Sequence, residues 1–332
     1  MHGEWRGITS DDVPAWAALL AAAEKVDQTG EHYSEADLRE ELDDPQVGPL
    51  DRVAAWEGDR MVAFAAVRPR SVTSYLRMHA EGTVDPDRRQ RGLGAEGLSW
   101  IHARSREIRA ERAADKEIRV QIVGFLDDAD QVGLLERAGY SAVNWSATMR
   151  VHLDRRRPAA ATPGWHAGYT LSTYTREHSA AVRAAHNAAF VDHWGFTSWG
   201  ESMWRQWEDD SRNARHDMSW LLAPEAEPGT VAGYILTHEY DAYEQATGRR
   251  EAYLAKIGVR REHRGRGLAS NLLRHVLDRC DDAGYDEVAL DVDTNNPTGA
   301  FGLYERAGLV IERRTATFEQ VHPQPRTADN VS

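Results

Sequence analysis

The chain is poor in cysteine and lysine. Cys280 is its single cysteine, and Lys25, Lys116 and Lys256 are its lysines, so nearly all of its positive charge is arginine. One cysteine excludes intrachain disulfides and any multi-cysteine metal site, and no metal is expected. Cys280 falls in an apolar helical pattern, which marks it as packing rather than reactive. No apolar run approaches the ~20 residues that cross a bilayer. The opening stretch MHGEWRGITSDD has no apolar signal segment. A cytoplasmic chain with no membrane partner is therefore expected. A formal net charge of -13 disfavours nucleic acid and anionic lipid as partners. H-E-x-x-H, G-x-S-x-G and Walker patterns are missing, so metallohydrolase, serine hydrolase and P-loop readings have no support.

What is present is ordinary for a globular chain, at 41% apolar and 28% charged residues. A length of 332 residues suggests two domains at ~150 residues each. An internal repeat says the same. VDPDRRQRGLGAEGL at 84–98 aligns without gaps with VRREHRGRGLASNLL at 259–273. Val84 then matches Val259, Arg89 matches Arg264, Gly92 matches Gly267 and Gly94 matches Ala269. Further on, LLERAGY at 134–140 matches LYERAGL at 303–309. Two ordered matches point to a duplicated domain. The stretch DRRRPAAATPGW reads as a linker. The expected division is a domain over 1–153, a linker over 154–168, a second domain over 169–320 and a frayed tail over 321–332.

In the second half, residues 230–240 read as a strand, 241–250 as a polar hairpin loop, and 252–259 as a second strand. An Arg/Gly loop follows at 260–267. Leu268, Leu272, Leu273, Val276, Leu277 and Cys280 recur at helical spacing. Gly284 suits the end of that helix. A strand at 287–293, a turn at 295–299, a short helix at 300–308 and a strand at 309–318 complete a mixed α/β unit.

RGRGLAS has the chemistry of an anion site. Amides that open a helix lack intrahelical partners and carry partial positive charge. Glycine admits an oxyanion close to the backbone, and Arg264 and Arg266 add charge, so a diphosphate would fit. The competing reading is an arginine-rich surface loop that caps a helix. The first copy spells GxGxxG at Gly92, Gly94 and Gly97, but charged residues separate its strand from the first glycine. Asp115 and Glu117 also precede the next strand instead of ending it, which disfavours a nicotinamide-dependent oxidoreductase.

Val259, Arg264–Gly265–Arg266–Gly267–Leu268–Ala269, Asn296, Ala300 and the run Leu303–Tyr304–Glu–Arg–Ala–Gly308 together resemble the GNAT superfamily of N-acetyltransferases. The resemblance covers about 231–318, and the first half resembles a second, weaker copy. It implies two tandem GNAT domains and acetyl-CoA as cosubstrate. Ile257, Gly258 and Val259 would bind the pantetheine arm through their backbone. Arg264, Gly265, Arg266, Gly267, Leu268, Ala269 and Ser270 would hold the diphosphate, and Asn296 the pantetheine or thiol region. Tyr304 stands where the family places the acid that protonates the leaving thiolate; its other reading is a tyrosine packed on the sheet. Tyr253 occupies a position where some relatives carry a catalytic glutamate. Glu251, of the same strand parity, is the candidate base through water, or else a solvated hairpin charge. Asp291, Asp293 and Glu239 are its rivals.

Leu135 replaces Tyr304 in the first copy, so that domain is expected to do no acetyl transfer. Val84, Arg89, Gly92 and Gly94 remain a candidate second CoA site. The aromatic-rich segment 190–207 is the expected acceptor wall, with His193, Trp194 and Phe196 as pocket residues; the alternative is that these aromatics cement the domain. The leading expectation is an acetyl-CoA-dependent N-acetyltransferase for a small-molecule amine, with catalysis in the second half. A mycothiol synthase-like acetyltransferase and a non-catalytic CoA-binding or scaffold protein are the alternatives. Oligomeric state stays open between monomer and homodimer.

Overall fold

The computed structural model describes residues 4–72, 74–153, 167–295 and 299–324. In chain order the first part holds β1 (Glu4–Gly7), α1 (Val13–Asp27), α2 (Glu35–Leu42), β2 (Arg52–Glu57), β3 (Arg60–Ser71), β4 (Tyr75–Val84), α3 (Leu93–Arg112), β5 (Glu117–Phe125), α4 (Ala129–Arg137) and β6 (Ser141–His152). The second part holds β7 (Tyr169–Thr173), α5 (Ser179–Ala189), α6 (Glu201–Trp204), β8 (Trp220–Pro224), β9 (Gly233–His238), α7 (Asp241–Thr247), β10 (Glu251–Val259), α8 (Leu268–Asp282), β11 (Glu287–Asp293), α9 (Ala300–Arg306) and β12 (Val310–His322). Among the described residues no helix is long and apolar enough to cross a membrane.

The chain divides into two compact units, 1–145 with 314–332, and 146–313. Both divisions fall inside long strands. The end of β12 belongs to the first unit, where Thr315–His322 lies antiparallel to Phe125–Ile118 of β5. The end of β6 belongs to the second unit, where residues 146–152 lie antiparallel to β11. The units therefore differ from a cut at 153 and 169: each sheet takes a strand from the far end of the other sequence half. Val321 and His322, expected in a frayed tail, are strand residues. Residues 154–166 of the expected linker and 325–332 of the tail lie outside the described residues.

In the first unit the sheet order is β1-β2-β3-β4-β5-β12, and in the second it is β6-β11-β10-β9-β8-β7. All neighbours described are antiparallel except β4 with β5 and β10 with β11.

Strand alternation divides the second sheet into two chemically distinct faces. Ala147, Met149, Val151, Val288, Leu290, Val292, Ala252 and Leu254 point to one side. There they meet Leu268, Leu272, Leu273, Val276, Leu277 and Cys280 of α8 and form the core. The helical spacing expected from the sequence is thus the buried stripe of α8, which stops before Gly284 in the left-handed region (φ 76°). The alternate positions Thr148, Arg150, Glu251, Tyr253, Glu287 and Asp291 carry polar groups on the opposite face.

One element departs from the sequence expectation. Residues 241–247, expected in a hairpin loop, form α7. Its sequence is polar, and its helix is fixed by docking: Ala242 and Tyr243 are buried. The Tyr243 hydroxyl donates to Glu287 at 2.5 Å.

Candidate active site

Parallel pairing of β10 with β11 runs only from Glu251 opposite Glu287 to Tyr253 opposite Ala289. Beyond Tyr253 the two strands part, and β10 carries a bulge between Leu254 and Lys256 against β9. On its β11 side, the backbone of 254–259 has no strand partner among the described residues. That leaves Ile257, Gly258 and Val259 with a free edge. Gly258 is required for a local reason: a Cβ there would sit 2.5 Å from the hydroxyl of Tyr234, whose ring lies against it.

The loop after β10 leads into α8 through two left-handed glycines, Gly265 and Gly267, both at φ 74°. Gly267 caps the helix, and a Cβ at Gly265 would meet nothing within 4 Å. The first backbone bond into α8 is Asn271 N–H to Gly267 O at 3.1 Å. The amides of Arg266, Gly267, Leu268, Ala269 and Ser270 are thus left for a ligand or water. Two of the three Arg264 nitrogens are engaged with the backbone. Its Nε donates to Val259 O at 3.0 Å and its Nη2 to Ala189 O at 2.7 Å. It ties the loop to the end of β10 and to α5. Arg266 donates to the Tyr169 hydroxyl at 2.9 Å.

Tyr304 projects from α9, buried, and no hydrogen bond to its hydroxyl is found among the described residues. Burial pushes its phenol up to about 12. It belongs to the α8-side core, so it is packed, as one reading expected, while its hydroxyl stays available. Asn296 lies outside the described residues.

Glu251 is not a solvated hairpin charge. It is buried in a network with Arg150, which ion-pairs with it, with Glu287 at 2.7 Å and with Glu312 at 2.9 Å. Burial raises its carboxyl to about 7 against the pull of Arg150. Tyr253 donates to Asp291 at 2.9 Å, and Thr148 to the other oxygen of Asp291 at 2.7 Å. Glu239 is held by Arg215, Arg250 and Tyr285.

The aromatic segment divides between the two roles expected of it. Phe190, Phe196, Trp199 and Trp204 surround the buried His186, with ring centroids 4.6 to 5.7 Å from it. His186 Nδ1 lies 2.8 Å from the Tyr234 hydroxyl, and burial lowers its pKa to about 3. Phe196 therefore cements the domain. Trp194 is 41% exposed. His193 approaches the end of β11, its Nε2 3.8 Å from Asp293.

Sequence reasoning passed over a buried charged group beneath these rings. Glu208 ion-pairs with Lys256 of β10 and lies 3.4 Å from His238 Nε2. Burial works against its charge, but Lys256 and His238 hold its carboxyl down at about 2. Lys256 also lies 4.2 Å over the Trp199 ring. The available signal was the rarity of lysine and its place among the apolar residues 254–259 of β10.

The first unit repeats the backbone but not the chemistry. Gln90, aligned with Gly265, is left-handed at φ 61°, and Gly92 caps α3 at φ 93°. Arg89 likewise donates to Val84 O at 3.3 Å, and its other nitrogens grip Asp27 at 2.6 Å. Here, however, Gln90 donates to Asp130 at 3.1 Å, and Glu96 stands in the first turn of α3. A Cβ at Gly94 would lie 2.9 Å from Leu134. Parallel pairing of β4 with β5 continues to Ala80 opposite Ile122. Leu135 is buried where the second unit has Tyr304.

The chain is similar in sequence and fold to known proteins. Residues 180–309 match the Acetyltransferase (GNAT) family. The chain is 28% identical over 232 residues to a mycothiol acetyltransferase of Clavibacter sepedonicus, covering 70% of this chain and 69% of that one. A GCN5-related N-acetyltransferase from Sphaerobacter thermophilus superimposes with a TM-score of 0.75 at 26% identity, covering 98% of this chain and 97% of the other. A tandem GNAT protein from the clavulanic acid biosynthesis pathway shares the fold, with a TM-score of 0.70 at 20% identity over 98% and 99% of the two chains.

Proposed function

From the premise that this chain carries a GNAT acetyltransferase domain and is an acyltransferase, we propose that its second unit transfers an acetyl group from acetyl-CoA to a small-molecule amine. The observation that carries the reading is the parting of β10 from β11 beside a glycine-capped helix start, with the Tyr304 hydroxyl at hand. The residues present fit acetyl-CoA, because an unpaired strand edge and a row of unpartnered amides are what a pantetheine amide chain and a diphosphate require. When bound, acetyl-CoA supplies an activated acetyl thioester.

The edge of Ile257, Gly258 and Val259 holds the pantetheine arm, and one of its N–H groups faces the developing oxyanion. The amides of 266–270 hold the diphosphate. Arg264 fixes the loop from behind. Tyr304 keeps a proton on Oη at neutral pH, because burial disfavours its phenolate, and so can supply one where the leaving sulfur needs it. The amine approaches over the polar face near Tyr253 and Asp291, with His193 and Trp194 at its rim. The first unit is structural: β5 stays paired along β4 as far as Ala80, and Leu134 closes on Gly94 of its loop. The likeness to mycothiol acetyltransferase favours an amine on a small polar molecule as acceptor.

An acceptor screen with acetyl-CoA, reading free thiol, tests this. Amine-dependent thiol release and one CoA bound per chain are expected. Thiol release from no amine, with no CoA bound, removes the reading.

A further inference from the structure

The transfer proposed above leaves one proton unplaced: the one an alkylammonium acceptor must shed before its nitrogen can attack the carbonyl carbon. The carboxylates on the polar face are engaged. Glu251 is paired with Arg150, and Asp291 accepts from Tyr253 and Thr148. Asp293 accepts from the Asn295 backbone at 2.8 Å.

His238 stands apart from these. It lies directly opposite Tyr253 in the β9–β10 register. In an antiparallel pair, opposite residues share a face, and Tyr253 is the last residue of β10 still paired with β11. His238 is therefore the polar-face imidazole one strand away from the point where the strands part. Its Nε2 faces Glu208 at 3.4 Å, and its Nδ1 faces the Tyr240 hydroxyl at 3.4 Å. Tyr240 packs edge-on to Tyr253, with centroids 6.1 Å apart. A buried carboxylate on one ring nitrogen and a hydroxyl on the other is the arrangement that fixes a histidine tautomer and lets the second nitrogen accept a proton. The Nε2–Glu208 approach is an ion-pair distance with no hydrogen bond formed, and catalytic contacts of this kind are commonly long before substrate binds.

We propose that His238, oriented by Glu208, takes the acceptor's proton through the Tyr240 hydroxyl. The inference rests on the acetyl-transfer reading. Before the acceptor nitrogen attacks, one N–H bond of its ammonium breaks and that proton passes to Tyr240 Oη; the second N–H proton, lost as the N–C bond forms, balances the one Tyr304 gives to the leaving sulfur. The proton already on Tyr240 moves to His238 Nδ1, and Glu208 stabilises the imidazolium. Solvent removes that proton after turnover. The titratable and charged groups around His238 are Glu208, Tyr240 and Tyr253, with Lys256 reaching it through Glu208. Lys256 ion-pairs with Glu208 from the other side.

The test compares two nucleophiles with full-length protein: the best alkylamine from the screen, and its oxyamine analogue, whose nitrogen is already neutral at pH 7. His238→Asn should lower kcat/KM for the alkylamine about 100-fold and remove the enzyme's acid limb from the pH profile. The oxyamine rate should fall less than about 3-fold, because a neutral nucleophile of low basicity needs little help. Tyr240→Phe, which removes only a half-buried hydroxyl, should give the same selectivity and decides the matter if the histidine variant does not fold. Glu251→Gln should show no such selectivity. Equal losses on both nucleophiles, or a selective loss in Glu251→Gln instead, overturn the relay. Wild-type protein that releases no thiol with either nucleophile defeats the acetyl-transfer reading itself, a distinct failure.

Discussion

The two loops at 89–94 and 264–269 have the same backbone and opposite surroundings. Both turn through left-handed residues, both open a helix with glycine, and both send an arginine back to the end of the preceding strand. Around the second loop, the amides of 266–270 have no backbone partner among the described residues, and a Cβ at Gly265 would meet nothing within 4 Å. Around the first stand Asp27, Glu96 and Asp130, and Leu134 closes on Gly94. A shared motif therefore specifies a turn and a helix start. Anion binding is decided by what the neighbouring elements bring to it. The arginine of the motif illustrates the point: in both units it holds the loop in place.

The sharpest break in this comparison is at the acid. Tyr304→Phe keeps the buried ring and removes the hydroxyl. It should lower kcat by about 100-fold or more and leave CoA affinity unchanged, as calorimetry can show. Leu135→Tyr in the first unit should restore nothing, because β5 stays paired with β4 as far as Ala80 and Leu134 closes on Gly94.

The next test moves the charge pattern between loops. Asn271 aligns with Glu96, so Asn271→Glu gives the second loop an acid in its first helical turn. CoA affinity should fall about 10-fold, roughly 1.4 kcal/mol, and the loss should shrink in high salt.

Glu251 contributes a pH signature. Its folded-state carboxyl is raised to about 7 from 4.5, so the native state binds more protons than the unfolded state between those values. Stability is then full below pH 4.5 and falls as pH rises toward 7, by roughly 3 kcal/mol at most. Glu251→Gln removes that slope. Melting temperatures of the variant relative to wild type should improve steadily over this range, whatever their offset.

The smallest effect is expected at Gln90, whose left-handed backbone sits where the second unit has Gly265. Gln90→Gly should stabilise the protein by about 1 kcal/mol or less, because it relieves the strain but loses the bond to Asp130. Denaturant unfolding measures it.

Much of the site was legible in the chain. The loop, the helix after it and the duplicated frame follow local rules of glycine, periodicity and spacing, whereas Tyr304 was singled out only by the resemblance to the GNAT superfamily. Three features were not legible. The helix α7 has a polar sequence and is held by tertiary contacts such as Tyr243 docking on Glu287 and Arg212 on Asp241. The exchange of β6 and β12 between units is a pairing choice made between strands far apart in sequence. The isolation of Glu251 by Arg150 joins residues 101 positions apart.

The sequence by itself determined where the backbone would turn left-handed, where a helix would open and which half would carry a phenol. Those are short-range consequences of residue type. Which carboxylates are masked, which loop a neighbouring leucine closes and which histidine meets a buried glutamate were decided by tertiary structure alone. Burial and charge pairing depend on side chains that only the folded sheet brings within a few ångströms of each other.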